Sequence, residues 1–259
     1  MKIAASSCCW WHHTLEEGIR LAGEAGFTAY EPLMFPDEIF PLHGNLRRIT
    51  SAELLRLLAD SGMTLAALHI AAIPTTPPER YRACVEYTKI AIERAAETGC
   101  NLVVVGGPDR ATEPFFPFLK ALEEIEPLLR HTPVRLALEN HYGNWIQFIQ
   151  DYEHIFDYLK SPNVGLTLDT GHFTASGVDP VEVARRLGDK VFHVHIKDHI
   201  GRQSVPLGTG QTDNAGMVRV LKESGYGGYL SQEIECGRGE QADRAAAEGL
   251  VYMTKLAEV

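Results

Sequence analysis

In the stretch GLTLDTGHF, residues 165–173, an acid and a histidine stand three residues apart. Asp169 closes a short run that reads as a β-strand, and His172 falls on the turn just beyond it. Other residues able to do chemistry sit in the same kind of place: Glu31 in TAYEPL, His69 in TLAALHI, Glu139 in PVRLALE, His195 with Lys197 in KVFHVHIK, and Glu233 with Glu235 in YLSQEIE. Taken singly, a carboxylate at a strand end serves most often as a helix cap or a solvated loop charge. Glu31 is thus expected to accept from a loop amide and Glu235 to anchor a loop, while His69 and His193, taken singly, read as buried, hydrogen-bonded histidines, with His69 also a candidate to bind substrate. Convergence changes the weighing. A Glu, an Asp, a His and a Glu delivered to one rim by four strand ends would repel one another and resist desolvation, and a divalent cation removes that cost. Three carboxylates and one imidazole suit Mn²⁺, Mg²⁺, Co²⁺ or Zn²⁺ rather than copper or an iron–sulfur cluster.

The elements that must position these groups are legible in the alternation along the chain. Short β-branched or apolar runs at 2–7, 28–33, 64–70, 101–106, 133–139, 163–169, 190–197 and 229–235 alternate with longer amphipathic segments such as SAELLRLLADSG and PPERYRACVEYTKIAIERAAETGC. Gly26, Gly62, Gly99 and Gly225 stand where left-handed helix caps would hand over to the next strand. Eight strand-then-helix units without a linker predict an α/β fold of one domain over residues 1–259, a (β/α)8 TIM barrel, because parallel strands need crossover helices and eight strands close a cylinder. A doubly wound sheet with a dinucleotide is disfavoured, since no G-x-G-x-x-G follows the first strand. In a barrel the chemistry gathers at the C-terminal strand ends. The pleat then turns Glu139 to the face of Ala137, and Asp169 to the face of Thr167 and Gly165, both inward.

Composition narrows the partners. A formal net charge of −10, with no run of Lys or Arg, argues against nucleic acid or an anionic membrane and for a small molecule. Cys8, Cys9, Cys84, Cys100 and Cys236 form no C-x-x-C pair, the N-terminal residues MKIAASSCCWWHH lack a signal-peptide core, and no apolar run is long enough to cross a bilayer. A reduced, cytoplasmic protein is expected, with Cys8 and Cys9 as packing residues. Trp10, Trp11, Phe35, Phe115 and Trp145 fall on or near the strand-to-helix loops, where they could wall a pocket, pack in the core or join a homo-oligomer interface.

The segments LALENHYG, GLTLDTGHF, FHVHIKDH, PLGTGQTD and GYLSQEIE, in that order and spacing, resemble the successive motifs of the xylose-isomerase-like TIM barrel superfamily, the sugar (phosphate) isomerases and epimerases. The likeness runs from GFTAYE to the final QEIE. Carried over position by position, it implies one metal, most readily Mn²⁺, held by Glu139, Asp169, His195 and Glu233. It implies that Glu139 and Glu233 also move the proton, and that His172 contacts substrate oxygens. Where the sugar 3-epimerases carry a second Glu, this chain has Trp145 with His141 nearby as the polar group, and Arg202 is an approximate counterpart of their substrate-binding arginine. HIKDH followed by PLGTG is more similar to the branch with hydroxypyruvate isomerases and keto-inositol dehydratases. Lys197, sharing the inward parity of His195, is expected to neutralise an enolate or a substrate carboxylate. Its alternatives are a Schiff-base role or pairing with Asp198, Glu233 or Glu235.

These expectations add up to a metal-dependent isomerase or epimerase of a keto sugar or related polyhydroxy carbonyl compound, with a dehydratase using the same groups as the alternative. The superfamily's DNA-repair endonuclease branch is matched only in part, by His69 and the four ligands. VVVGGPD and PLGTG stand where that branch has further metal-binding residues, and the acidic balance speaks against DNA. A sugar sensor without catalysis is disfavoured by the presence of both glutamates.

Overall fold

The computed structural model describes residues 1–36, 39–237 and 239–259. In chain order the elements are β1 (Lys2–Ser6), α1 (Leu15–Ala25), β2 (Ala29–Glu31), β3 (Leu33–Met34), α2 (Ser51–Asp60), β4 (Thr64–Leu65), β5 (Leu68–Ile70), α3 (Pro78–Thr98), β6 (Leu102–Gly106), α4 (Phe116–Arg130), β7 (Arg135–Glu139) and α5 (Ile149–Leu159). They continue with β8 (Val164–Asp169), α6 (Thr170–Ala175), α7 (Pro180–Leu187), β9 (Val191–Ile196), β10 (Asp198–Ile200), β11 (Gln203–Val205), α8 (Asn214–Glu223), β12 (Tyr229–Gln232) and α9 (Glu240–Glu258). A short 3₁₀ turn, Ser7–Trp10, follows β1.

Ten of these strands form one parallel sheet in the order β3-β5-β6-β7-β8-β9-β12-β1-β2-β4. Because β2 pairs with β4 while β3, its direct continuation, pairs with β5, the two ends of that order are the same neighbouring chain segments, and the sheet closes. The closed parallel cylinder is the expected (β/α)8 barrel. Two of the eight predicted strands are split. Between β2 and β3 stands Pro32, which has no N–H to give to the ladder, although its carbonyl still accepts from His69. The last two strands are shorter than their sequence patterns, so Lys197, Glu233 and Glu235 lie on loops just past strand ends.

Local chemistry sets the helix limits. Thr14 with Glu17, and Thr50 with Glu53, make reciprocal capping boxes at the starts of α1 and α2. The four expected glycines all take positive φ where helices end. Along α3, Val85, Ile92 and Ala95 recur at helical spacing on the buried face, each larger side chain contributing about 1.5–3 kcal/mol by leaving water. This face joins a continuous core between sheet and helices that includes Phe118, Leu122, Leu138 and Tyr152. Among the described residues, no helix is long and apolar enough to cross a membrane.

Candidate active site

Parallel pairing puts Asp169, the last residue of β8, beside His195 of β9, and pairs Glu139 at the end of β7 with Thr167. Glu233 extends the ladder one residue beyond β12, donating its N–H to Ile196 O at 3.1 Å. The result is a buried knot. His195 Nδ1 lies 2.6 Å from Glu139 Oε1, 2.5 Å from Glu233 Oε2 and 3.9 Å from Asp169 Oδ2. His69, from β5, sets Nε2 3.1 Å from Glu139 Oε2. Above the knot opens a cavity of about 300 Å³, lined by His69, Glu139, His141, His172, Lys197 and Glu233 among others.

The charges are out of balance within so small a volume. Burial pushes the Asp169 carboxyl up; Lys197 opposes, but Glu233 and Glu139 add to the rise, and it reaches about 7. Burial also works against the Glu233 charge, yet His195 and Lys197 hold it down to about 2. Glu139 is held well below the usual range because His69 and His195 together outweigh its burial. Burial disfavours a charged His195, but Glu233, Glu31 and Glu139 overcome it and raise its pKa well above the usual value. Three carboxylates this close cannot all ionise cheaply, and Asp169 bears the cost. Two buried oxygens on this knot, Asp169 Oδ2 and Glu233 Oε2, have cationic neighbours in Lys197 and His195 but make no well-directed hydrogen bond. Carboxylate oxygens in that state beside an imidazole nitrogen are the donor set a divalent ion takes, so the residues fit a metal. Among the described residues, His69, Glu139, His195 and Glu233 also bring ligand atoms within 4.8 Å of one another.

Lys197 sits over this group, buried, with Nζ 3.1 Å from Asp169 Oδ2, 3.3 Å from Glu233 Oε1 and 3.0 Å from Glu235 Oε2. Its ammonium is kept charged: burial opposes, but Asp169, Glu233 and Glu235 raise its pKa well above the ordinary value. The same Nζ lies 3.0 Å from His172 Nε2. Burial and then Lys197 push the His172 pKa well down, so the ring is neutral. Nε2 then accepts from Lys197, which leaves the proton on Nδ1, an atom with no protein partner. His172 is fixed from below as well, since its backbone N–H donates to the capping Asp169 Oδ1 at 2.7 Å. Gly171 lets this turn approach: a Cβ there would stand 2.5 Å from that of Lys197.

A supporting layer holds these groups in place. Asn140 exchanges two hydrogen bonds with the Asp169 backbone, at 2.8 and 2.9 Å. Thr170 Oγ1 accepts from the Lys197 N–H at 3.0 Å, and Asn214 Nδ2 donates to the Lys197 carbonyl at 2.9 Å. Asp198 is not a partner of Lys197. It accepts instead from the backbone of His199, Gly208, Gly210 and Thr212, folding PLGTG back over the β10–β11 hairpin. Glu31 is the residue that sequence reasoning placed at the rim and then undervalued. Its Oε2 accepts from His193 Nε2 at 2.8 Å and its Oε1 from His195 Nε2 at 3.0 Å. With Nε2–H committed to Glu31, Nδ1 is the His195 nitrogen that faces the carboxylates, and an entering cation would take the place of its proton. The available signal was parity: His193 and His195 are two apart on one strand and share its inward face.

The remaining candidates are spread out. The ring of His141 lies 3.8 Å from that of His172, at the cavity wall. Arg202, exposed on the hairpin turn, stacks 4.4 Å over Tyr142 and does not line the cavity. Of the aromatic residues, Phe35 lines the cavity, whereas Trp10 is buried against Phe27 and Phe115 stacks on Trp145. Trp11 lines an adjoining recess with Phe35, Phe40 and His43. Cys9 is buried near Gln232, but Cys8 lines the cavity rather than only packing.

A closed parallel barrel with acids and histidines gathered at its C-terminal strand ends defines a (β/α)8 barrel of the enzyme-bearing kind. Residues 19–256 match the xylose isomerase-like TIM barrel family, and the chain belongs to it. Its sequence is similar to the inosose dehydratase of Clostridium tetani (strain Massachusetts / E88), 27% identical over 156 residues, 52% of this chain and 50% of that protein. The chain thus spans about half the length of the curated relatives it matches. Among solved structures, it is similar in fold to the IolI protein with a zinc atom, with TM-score 0.81 and 20% identity over 99% of this chain and 98% of that one. It is also similar to L-ribulose 3-epimerase, with TM-score 0.79 and 20% identity over 100% of this chain and 95% of that one.

Proposed function

We propose that this protein is a divalent-metal-dependent isomerase or epimerase that moves the proton beside the carbonyl of a keto sugar or a related small polyhydroxy carbonyl compound. The observation that carries the reading is the placement of two buried carboxylates, Glu139 and Glu233, against the same His195 nitrogen in a cavity also lined by Lys197 and His172. Glu139, Asp169, His195 and Glu233 would hold the ion, for which Mn²⁺ is our first choice, and His69 is a further ligand within reach. When bound, such an ion supplies the Lewis acidity that makes a proton beside a carbonyl removable near neutral pH.

The chain's own groups do the rest. Glu139, kept charged by His69 and His195, is the base, and His69 Nε2 stands 3.1 Å from its second oxygen and steadies it. Glu233, reaching the cavity from a strand end across the barrel, serves the other face of the carbon. Lys197 offers a fixed positive charge to a substrate oxygen, and His172 offers its Nδ1–H. The turn that carries His172 orients the substrate rather than the metal. A second reading, dehydration, is favoured by the sequence likeness to inosose dehydratases. The same base would act, and a β-hydroxyl would leave as water.

A panel of ketoses, keto acids and keto-inositols incubated with Mn²⁺ in D₂O tests both readings. Solvent deuterium should enter at the carbon beside the carbonyl, with product mass separating rearrangement from loss of water. Glu139→Gln and Glu233→Gln should each lose more than about 10²–10⁴-fold in rate. Turnover with neither solvent deuterium in the product nor a primary isotope effect at that carbon would sink proton-transfer chemistry.

A further inference from the structure

Beside the barrel mouth, the turn after the 3₁₀ segment carries Trp11, His12 and His13, and the first turn of α9 brings Asp243 against it. His13 Nε2 lies 3.1 Å from both carboxylate oxygens of Asp243, and His12 Nε2 lies 3.4 Å from Oδ1. The two imidazole rings are 4.3 Å apart. Both ring nitrogens of His12 are buried and have no hydrogen-bond partner, although the side chain as a whole is only three-quarters covered. On the far side of the second ring, His13 Nδ1 faces Glu17 Oε2 at 3.8 Å.

Neutral rings can each turn an Nε2–H to Asp243, and His13 is placed to do so, yet His12 Nε2 stands 3.4 Å off without a hydrogen bond and its Nδ1 has no partner. A divalent cation would take one ligand atom from each of the three residues, and those atoms all lie within 4.8 Å of one another. We propose that His12, His13 and Asp243 form a second metal site, of the borderline class that zinc represents, separate from the barrel mouth. Two imidazoles and one carboxylate are a known ligand set for that class. None of the three lines the cavity. Its position defines its effect: it ties the loop after β1 to α9, across 230 residues of sequence, and steadies Trp11 in the recess beside the cavity.

Zn²⁺ binding, followed by calorimetry and bound-metal analysis, tests the site in two backgrounds. In wild-type protein, His13→Gln with Asp243→Asn should lower the bound zinc by one ion per chain and remove the zinc-dependent rise in melting temperature. In a protein carrying Asp169→Asn and His195→Ala, one zinc should remain, and should go when His13→Gln and Asp243→Asn are added. Failure of the barrel-mouth site alone would look different: wild type would bind one ion, insensitive to the Asp169 and His195 changes and lost with Asp243→Asn. Zinc stoichiometry and melting unchanged by His13→Gln with Asp243→Asn in wild type would overturn the proposal, leaving His–Asp hydrogen bonding as the whole account.

Discussion

Glu31→Gln isolates the hydrogen bond that sets the tautomer of His195. Glu31 is fully buried, and its two oxygens accept from His193 Nε2 at 2.8 Å and from His195 Nε2 at 3.0 Å. An amide of the same shape keeps one acceptor and turns a donor toward the other histidine. If that is His195, its Nε2 must accept, the ring's one proton is held on Nδ1, and the nitrogen facing Glu139 and Glu233 can no longer give up that proton to a metal. Hydrogen bonds to a charged group contribute about 1.5–3 kcal/mol each and neutral ones about 0.5–1.5, so exchanging two of the first kind for two of the second costs roughly 2–3 kcal/mol of stability. Loss of a partner behind a metal ligand weakens metal binding about 10–100-fold, or roughly 1.4–2.8 kcal/mol. Competition between the protein and a fluorescent chelator for Mn²⁺ reads the affinity, and thermal melting in the presence of chelator reads the stability. A variant binding Mn²⁺ within about threefold of wild type, a difference well short of that range, would show that Glu31 does not govern His195 and that the proposed ligand geometry is wrong.

His172→Ala should retain bound metal while losing activity, because its ring meets Lys197 and the cavity rather than the carboxylate knot; metal loss equal to that of Asp169→Asn would make it a ligand, and full activity would leave it a packing residue. The pH dependence follows from Asp169, whose carboxyl is pushed up to about 7 from an ordinary 3.8 by burial and by Glu233 and Glu139. In chelator-treated protein its contribution to stability is complete below about 3.8 and is lost as pH rises through about 7. An entering ion must displace that proton as well as the one on His195 Nδ1, so Mn²⁺ affinity should climb at least about tenfold per pH unit up to 7 and less steeply above it. Calorimetry in buffers of different ionisation enthalpy counts the released protons, and a pH-independent affinity would refute the charge balance described above.

Much of the site could be read before folding because a strand's pleat is a local property. Once PVRLALE and GLTLD are strands, alternation alone sends Glu139 and Asp169 to one face, and eight such units with crossover helices have few ways to close. The order and spacing of five short motifs then pointed to the family that residues 19–256 match. What the chain could not declare was pairing at long range. Glu31 reads as an ordinary strand-end acid until barrel closure brings it to His193, 162 residues away. His12 and His13 carry no pattern of their own in the sequence, and only the fold brings Asp243 of α9 against them. Asp198 reads as a partner for its neighbour Lys197, yet the hairpin of β10 and β11 folds a row of backbone N–H groups onto it, and Lys197 turns to Asp169, Glu233 and Glu235 instead. Residue type and period determine which face a side chain takes. Which charges then meet across the barrel depends on strand order, register and the exclusion of water, and only the closed structure decides these.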